Sequence, residues 1–212
     1  FIFKYMPMYG ILIAFKKYRP NRGVWGSEWL DPVLQNFTRF FSTPNCWDII
    51  GNTFKIGIVS LIFMYPAPIL FALLLNEIRN RHYKKIVQTI SYIPHFVSTV
   101  VLVGMLTGFA SVDGMFNQIR ELFGLAAVNM NKGDRYFLLL YVGSAVWQGM
   151  GWGSIIYLSA LTNVDTSLFD VADVDGANRW QKMLHIELPA ILPTTMVMLI
   201  LNTGTVLTQD YT

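Results

Sequence analysis

Four aspartates, Asp165, Asp170, Asp173 and Asp175, crowd one polar stretch, residues 162–187, set between two long apolar runs. Carboxylates so close in sequence could hold a cation or divide acid and base roles, and either chemistry needs them to converge on one point. Their placement favours a simpler use. Ser167, with Asp170 three residues on, has the form of a capping box, and carboxylates near a helix start are stabilised by the positive end of the helix dipole. The histidines His82, His95 and His185 are scattered without metal-ligand spacing, and the single Cys46 leaves no intrachain disulfide. No G-x-x-x-x-G-K-[ST] occurs, so the chain carries no phosphate cradle of its own. Gly149, Gly151 and Gly153 do not replace it, because they lie inside an apolar run with no strand before them.

A second group of chemistry-bearing residues sits within the apolar runs. Ser144, Gln148, Asn202 and Thr203 either face a pathway or hydrogen-bond neighbouring helices. Trp147 and Trp152 either stack on a flat ligand face, as aromatics do on sugars, or pack between helices. Ala145, Gly149 and Gly153 recur at i, i+4, i+8, a small-residue stripe that lets another helix approach closely.

The elements that hold these residues follow from composition. The 212 residues are 53% hydrophobic and only 14% charged, with a mean hydropathy of +0.42, too little charge to solvate a globule of this size. The net charge of +3 and its clustering give no footprint for nucleic acid. Apolar runs at about 1–15, 52–75, 86–110, 137–161 and 190–207 predict an all-α, polytopic membrane helix bundle; at about 1.5 Å per residue, 52–75 alone reaches roughly 36 Å. Pro66 and Pro68 should break or kink that helix. A basic turn over 77–85, an outer loop over 111–135 with a short helix near Met115–Leu122, and a polar connection over 16–51 separate the runs. Within 162–187 the pattern predicts two short amphipathic helices joined at Gly176, the first carrying Leu168, Val171 and Ala172 on one face, the second capped by Asn178 and carrying Trp180, Met183 and Leu184. Leu188-Pro189 either stops the second helix or forms the mouth of the next apolar run.

The stretch 162–193 resembles the cytoplasmic EAA loop of permease subunits in binding-protein-dependent ABC importers, whose pattern is E-A-A-x-x-x-G followed by I-x-L-P. Asp170 stands at the Glu, Val171 and Ala172 at the two Ala, Asp175-Gly176-Ala177 at D-G-A, and Ile186, Leu188 and Pro189 at I-x-L-P. PAPILFALLLNEIR, SYIPHFVSTVV and WQGMGWGSIIYLSALTNVD resemble the carbohydrate branch, in particular its oligo- and polysaccharide permeases, with an alginate-type importer one candidate.

The resemblance implies the type I importer permease fold, with Asp170, Val171, Ala172, Asp175, Gly176, Ala177, Leu188 and Pro189 as ATPase-coupling residues. It implies a second permease subunit, two cytoplasmic ATPases that bind ATP and Mg, and an external solute-binding protein; from their residue types, Ser144, Trp147, Gln148, Trp152 and Asn202 are the candidates for a substrate pathway, with helix packing the alternative. No catalytic residue, resident cofactor or metal is expected in this chain. It also implies that a single transmembrane domain is cut at both ends, since the first residues are already apolar and a family member would continue past Thr212. Two spans separate 77–85 from 162–187, so both share a side. Charge does not orient them: Lys16, Lys17, Arg19, Arg22 and Arg39 oppose Arg79, Arg81, Lys84 and Lys85. The resemblance places 162–187 in the cytoplasm of a cell bounded by an inner membrane, and leaves the basic group near Lys17 outside, where it would attract polyanions. The alternative transport class is a secondary carrier driven by an ion gradient, which would call for internal repeats and intramembrane acid pairs.

Overall fold

The computed structural model describes residues 5–205, and they are helical apart from connecting turns and one isolated antiparallel bridge, Lys16 to Trp29. Contacts divide the chain in sequence between Phe54 and Lys55, and each unit has its own packing.

In the first unit, Met6–Phe15 forms a 3-10 helix with Pro7 in its opening turn. The expected membrane span over 1–15 is therefore not an α-helix in its described part; residues 1–4 lie outside the described residues. The chain then doubles back through Pro20–Arg22 and a single turn, α1 (Gly23–Gly26). Leu30 donates to the Phe15 carbonyl and Lys17 to the Glu28 carbonyl, so 15–17 and 28–30 run side by side. Helix α2 (Gln35–Phe41) is held to them by Phe37 against Phe15, 5.3 Å between ring centroids, and by Asn36 Nδ2 donating to the Ala14 carbonyl at 3.0 Å.

Helices α3 (Cys46–Met64) and α4 (Pro66–Asn76), interrupted only at Tyr65, form a 31-residue run of mean hydropathy 2.4. The expected span 52–75 lies within it. Pro66 does not break the run because it opens α4, where its missing N–H has no partner to lose. The expected span 86–110 is instead a broken pair: α5 (Arg81–Tyr92) with a 3-10 turn, Ile93–Phe96, meets α6 (Thr99–Phe109) at 97°. Pro94 sits in that turn and Val97 and Ser98 are extended, which ends the helical hydrogen bonding. The basic turn 77–85 is partly helical too, since Asn80 caps α5 by accepting from the His82 and Tyr83 amides.

After α7 (Met115–Leu122), the longest helix is α8 (Asp134–Leu161, 28 residues). It packs against α4, α5 and α11 (Leu188–Thr205), and the core lies where they meet: Ile69, Leu73 and Leu75 of α4, Tyr157, Leu158 and Leu161 of α8, Met183 and Ile191. Arg179–Gly204 is the second run long and apolar enough to cross a membrane, and the bent pair makes a third if taken as one span. Helix α8 falls outside that set by composition, because Gly, Ser, Gln and Trp replace aliphatics along it.

Candidate functional site

The loop consists of two short capped helices joined by a tight turn. Helix α9 (Thr166–Val174) is capped by Asp165, whose carboxylate accepts from the Ser167 amide at 2.9 Å. The expected box of Ser167 and Asp170 is thus corrected: the cap stands earlier, and Asp170 lies exposed on the helix. The Ser167 backbone amide, and after it the Ser167 hydroxyl, holds the Asp165 carboxyl below the usual carboxylate range. At the other end Gly176 adopts φ +74°, the Gly176 amide donates to the Asp173 carbonyl, and the Ala177 amide reaches back to Ala172. This is a Schellman termination, and its left-handed residue is the reason for glycine here.

Asn178 opens α10 (Arg179–Lys182) with a full capping box, accepting from the Gln181 amide while Gln181 Oε1 accepts from the Asn178 amide. An ion pair that sequence reasoning missed, Lys182 with Asp173, ties the two helices across the turn. Leu168, Val171 and Val174, the last 88% exposed, and Trp180 and Leu184 present apolar surface.

The second short helix does not end before α11. A π-turn, Met183–Glu187, joins them, with the Leu188 amide donating to the Met183 carbonyl. Pro189 has no N–H and its ring would press on the carbonyl four residues back, so the wider turn absorbs the proline. The loop 162–187 is thus rooted directly in a membrane-long helix, with Leu188-Pro189 as its mouth. Within the π-turn Glu187 is 2% exposed; Asn76 Nδ2 donates to its Oε1 at 2.8 Å, and Oε2 has no hydrogen-bond partner among the described residues.

The break between α5 and α6 is pinned from α8. Gln148 Nε2 donates to the Val97 carbonyl at 2.8 Å, satisfying an acceptor that the break frees. One turn on, Trp152 stacks on His95, centroids 4.7 Å apart and planes 1° off parallel, with Phe96 edge-on at 5.6 Å. Trp152 and Phe96 remain 46% and 73% exposed, leaving aromatic surface at the bend. Ser144 donates to Tyr141 and Asn202 to Met198 within their own helices, and Trp147 is half-exposed.

The small-residue stripe divides. Gly153 abuts Pro68, where an added Cβ would come within 3.0 Å, whereas the same atom at Gly149 would meet nothing within 4 Å. The tightest approach is at Gly151, whose Cβ would fall 2.0 Å from the Ser91 carbonyl oxygen. Ala145 is half-buried. Among the described residues, no three His, Cys, Asp or Glu side chains gather as a metal site.

Residues 64–209 match the family described as binding-protein-dependent transport system inner membrane component. The chain belongs to that family. It is 43% identical over 204 residues, 96% of its length, to the polygalacturonan/rhamnogalacturonan transport system permease protein YteP of Bacillus subtilis, of which it spans 63%. Protein LplB of the same organism is 42% identical over 99% of this chain and 66% of its own length. The fold superposes, with a TM-score of 0.86 and 36% identity, on a bacterial alginate ABC transporter solved in complex with an alginate pentasaccharide-bound periplasmic protein, covering 97% of this chain and 67% of that one. The chain thus spans about two thirds of the length of these proteins. In this inner membrane component two sites stand out: the exposed lever 166–182, and the aromatic bend at His95, Phe96 and Trp152. Gln148 and Trp152 were legible from their types; His95 and Phe96 gave no signal beyond their place beside Pro94.

Proposed function

We infer that the chain is the transmembrane permease subunit of an ATP-driven importer of acidic oligo- or polysaccharide. It forms the pathway with a second permease subunit in the bilayer, receives substrate from an extracytoplasmic solute-binding protein, and is moved by two cytoplasmic ATPases that hold ATP and Mg. The observation that carries this reading is the lever: two capped helices, locked by a Schellman turn and the Asp173–Lys182 pair, and continuous through a π-turn with α11. A short rigid element with apolar side chains exposed transmits closure of a docked partner as rigid-body motion of the helix it is rooted in.

Asp170, Val171 and Ala172 lie on the docking helix, Asp175, Gly176 and Ala177 form the elbow, and Leu188 and Pro189 pass the motion on. The loop 162–187 then lies in the cytoplasm. With no phosphate cradle in the sequence, hydrolysis belongs to the partners. The acidic substrate is supported by the similarity to YteP, a polygalacturonan/rhamnogalacturonan permease, and to an importer of the acidic polysaccharide alginate.

The pathway runs past the bend, where irregular backbone at membrane depth is tolerable when buried in protein or lining a cavity. Trp152 and Phe96 offer faces for a pyranose; Ser144, Trp147 and Gln148 share α8 with Trp152, and Asn202 lies on α11. Neither the fold nor the family supports the ion-gradient carrier. The test is reconstitution of the full complex in proteoliposomes: uronate-stimulated ATP hydrolysis and uptake that both require the ATPases supports the reading, and uptake driven by an ion gradient without ATP refutes it.

A further inference from the structure

A cleft in the first unit carries charge that no internal partner uses. It encloses about 710 Å³ between the paired segments 15–17 and 28–30 and helix α2, and its lining includes Lys17, Tyr18, Gln35, Thr38, Arg39 and Ser42. That volume falls within the roughly 300–1,000 Å³ of small-ligand sites. No Asp or Glu lines it. The sequence suggested a basic group of Lys16, Lys17, Arg19 and Arg22, and the fold redraws it. Lys16 is buried, donating to the Val24 carbonyl at 3.0 Å and lying 4.8 Å over the Trp29 ring, and Arg22 pairs with Glu28 at 3.3 Å. Arg39, distant in sequence, is brought to the same cleft as Lys17, and neither has an acidic partner among the described residues.

The walls are fixed before any ligand arrives. Lys17 is tied through its amide to the Glu28 carbonyl, and α2 is held by the Phe15–Phe37 contact and by Asn36 on Ala14. Thr38 spends its hydroxyl donor on the Leu34 carbonyl and Asn36 uses one of its two amide N–H groups on the Ala14 carbonyl, which leaves both side-chain oxygens to accept. Two unpaired cations beside amide and hydroxyl groups match the chemistry of a uronate, whose carboxylate takes charge-assisted hydrogen bonds while its hydroxyls use neutral ones. A phospholipid headgroup offers the same anionic chemistry with fewer hydroxyls.

We propose that the Lys17–Arg39 cleft is an extracytoplasmic subsite for a uronate residue of the incoming oligosaccharide, outside the membrane pathway. The proposal rests on the importer reading for its side of the membrane and its substrate. The cleft receives the carboxylate before the chain enters the bilayer, raising the local concentration of acidic over neutral sugar.

The test is calorimetric binding of a galacturonate trisaccharide to the full-length complex, without nucleotide or binding protein, in phosphatidylcholine nanodiscs. Expected is saturable, salt-sensitive binding, at least tenfold weaker for the methyl-esterified trisaccharide and for the Lys17→Gln/Arg39→Gln double variant. Arg22→Gln should bind as wild type. In transport the double variant should raise KM with kcat unchanged, and its unchanged elution and thermal melting would show an intact fold. Equal affinity of the double variant and wild type, or equal affinity for the ester, overturns the proposal. So does uronate binding that disappears in phosphatidylglycerol nanodiscs while the double variant loses only lipid, since the cleft would then be a headgroup site. The importer reading fails separately, if wild type shows no ATP-dependent uronate uptake at all.

Discussion

The side-chain amide of Asn76, at the end of α4, donates to Glu187 across 2.8 Å, joining the first membrane-long helix to the π-turn at the root of the last. Glu187 is buried with its second oxygen unpartnered among the described residues, where this is the only hydrogen bond of its carboxylate. Removing the donor strands a buried acceptor, which costs about 1–3 kcal/mol, more for a charged group. Asn76→Leu should therefore lower the thermal unfolding temperature of the purified complex by several degrees. Glu187→Gln keeps an acceptor at Oε1 and removes the charge, so it should melt at or above wild type. A stable Asn76→Leu would show that the bond does not hold the two helices.

The contact of α8 with α5 predicts a sharp contrast between neighbouring glycines. A Cβ at Gly151 would fall 2.0 Å from a backbone oxygen of Ser91, which no rotamer change relieves, whereas one at Gly149 meets open space. Gly151→Ala should cost about 1–3 kcal/mol or more and reduce recovered complex. Gly149→Ala should leave it unchanged or slightly firmer, since alanine is the better helix former. Thermal melting followed by size exclusion reads both variants. Equal behaviour would mean that α8 and α5 lie further apart than the Gly151–Ser91 approach implies.

The Asp165 cap sets a pH dependence of known sign. Its folded carboxyl titrates below the unfolded value, so the contribution to α9 is complete above the unfolded carboxylate range and is lost as pH falls through the lower folded value. At neutral pH the cap is intact. Hydrogen exchange across 165–175, compared at the same pH with Asp165→Asn, should show similar protection in the two proteins near pH 7. Below about pH 4 wild type should lose protection that the variant keeps, because the neutral amide caps at any pH. Loss in both alike would place the acid sensitivity elsewhere.

Much of the loop was legible because its signals are local. Gly176 at a left-handed position, Asn178 as a cap and the proline at the mouth of α11 each follow from one residue's backbone chemistry. The capping of α9 was misplaced because Asp165 and Ser167 are both good caps two positions apart, and only geometry chooses between them. Tertiary relationships were hidden. Asn76 and Glu187, Gly151 and Ser91, or Gln148 and Val97 meet through packing, and nothing in their spacing foretells it. Hydropathy marked 86–110 as one run, yet Pro94 and the extended Val97 and Ser98 turn it through 97°. The basic residues near Lys17 were visible as a group, but burial of Lys16 and pairing of Arg22 changed its membership.

We propose that the elbow at Gly176 carries ATPase closure into α11. The most direct measurement is the number of ATP molecules hydrolysed per oligosaccharide imported, in proteoliposomes of the full complex, for wild type and Gly176→Val. Valine at φ +74° is strained by about 1–2 kcal/mol and should loosen the Schellman turn without hindering insertion. Near-normal assembly, sustained hydrolysis, and a ratio that rises several-fold as transport falls are expected. An unchanged ratio with normal uptake would contradict the proposal.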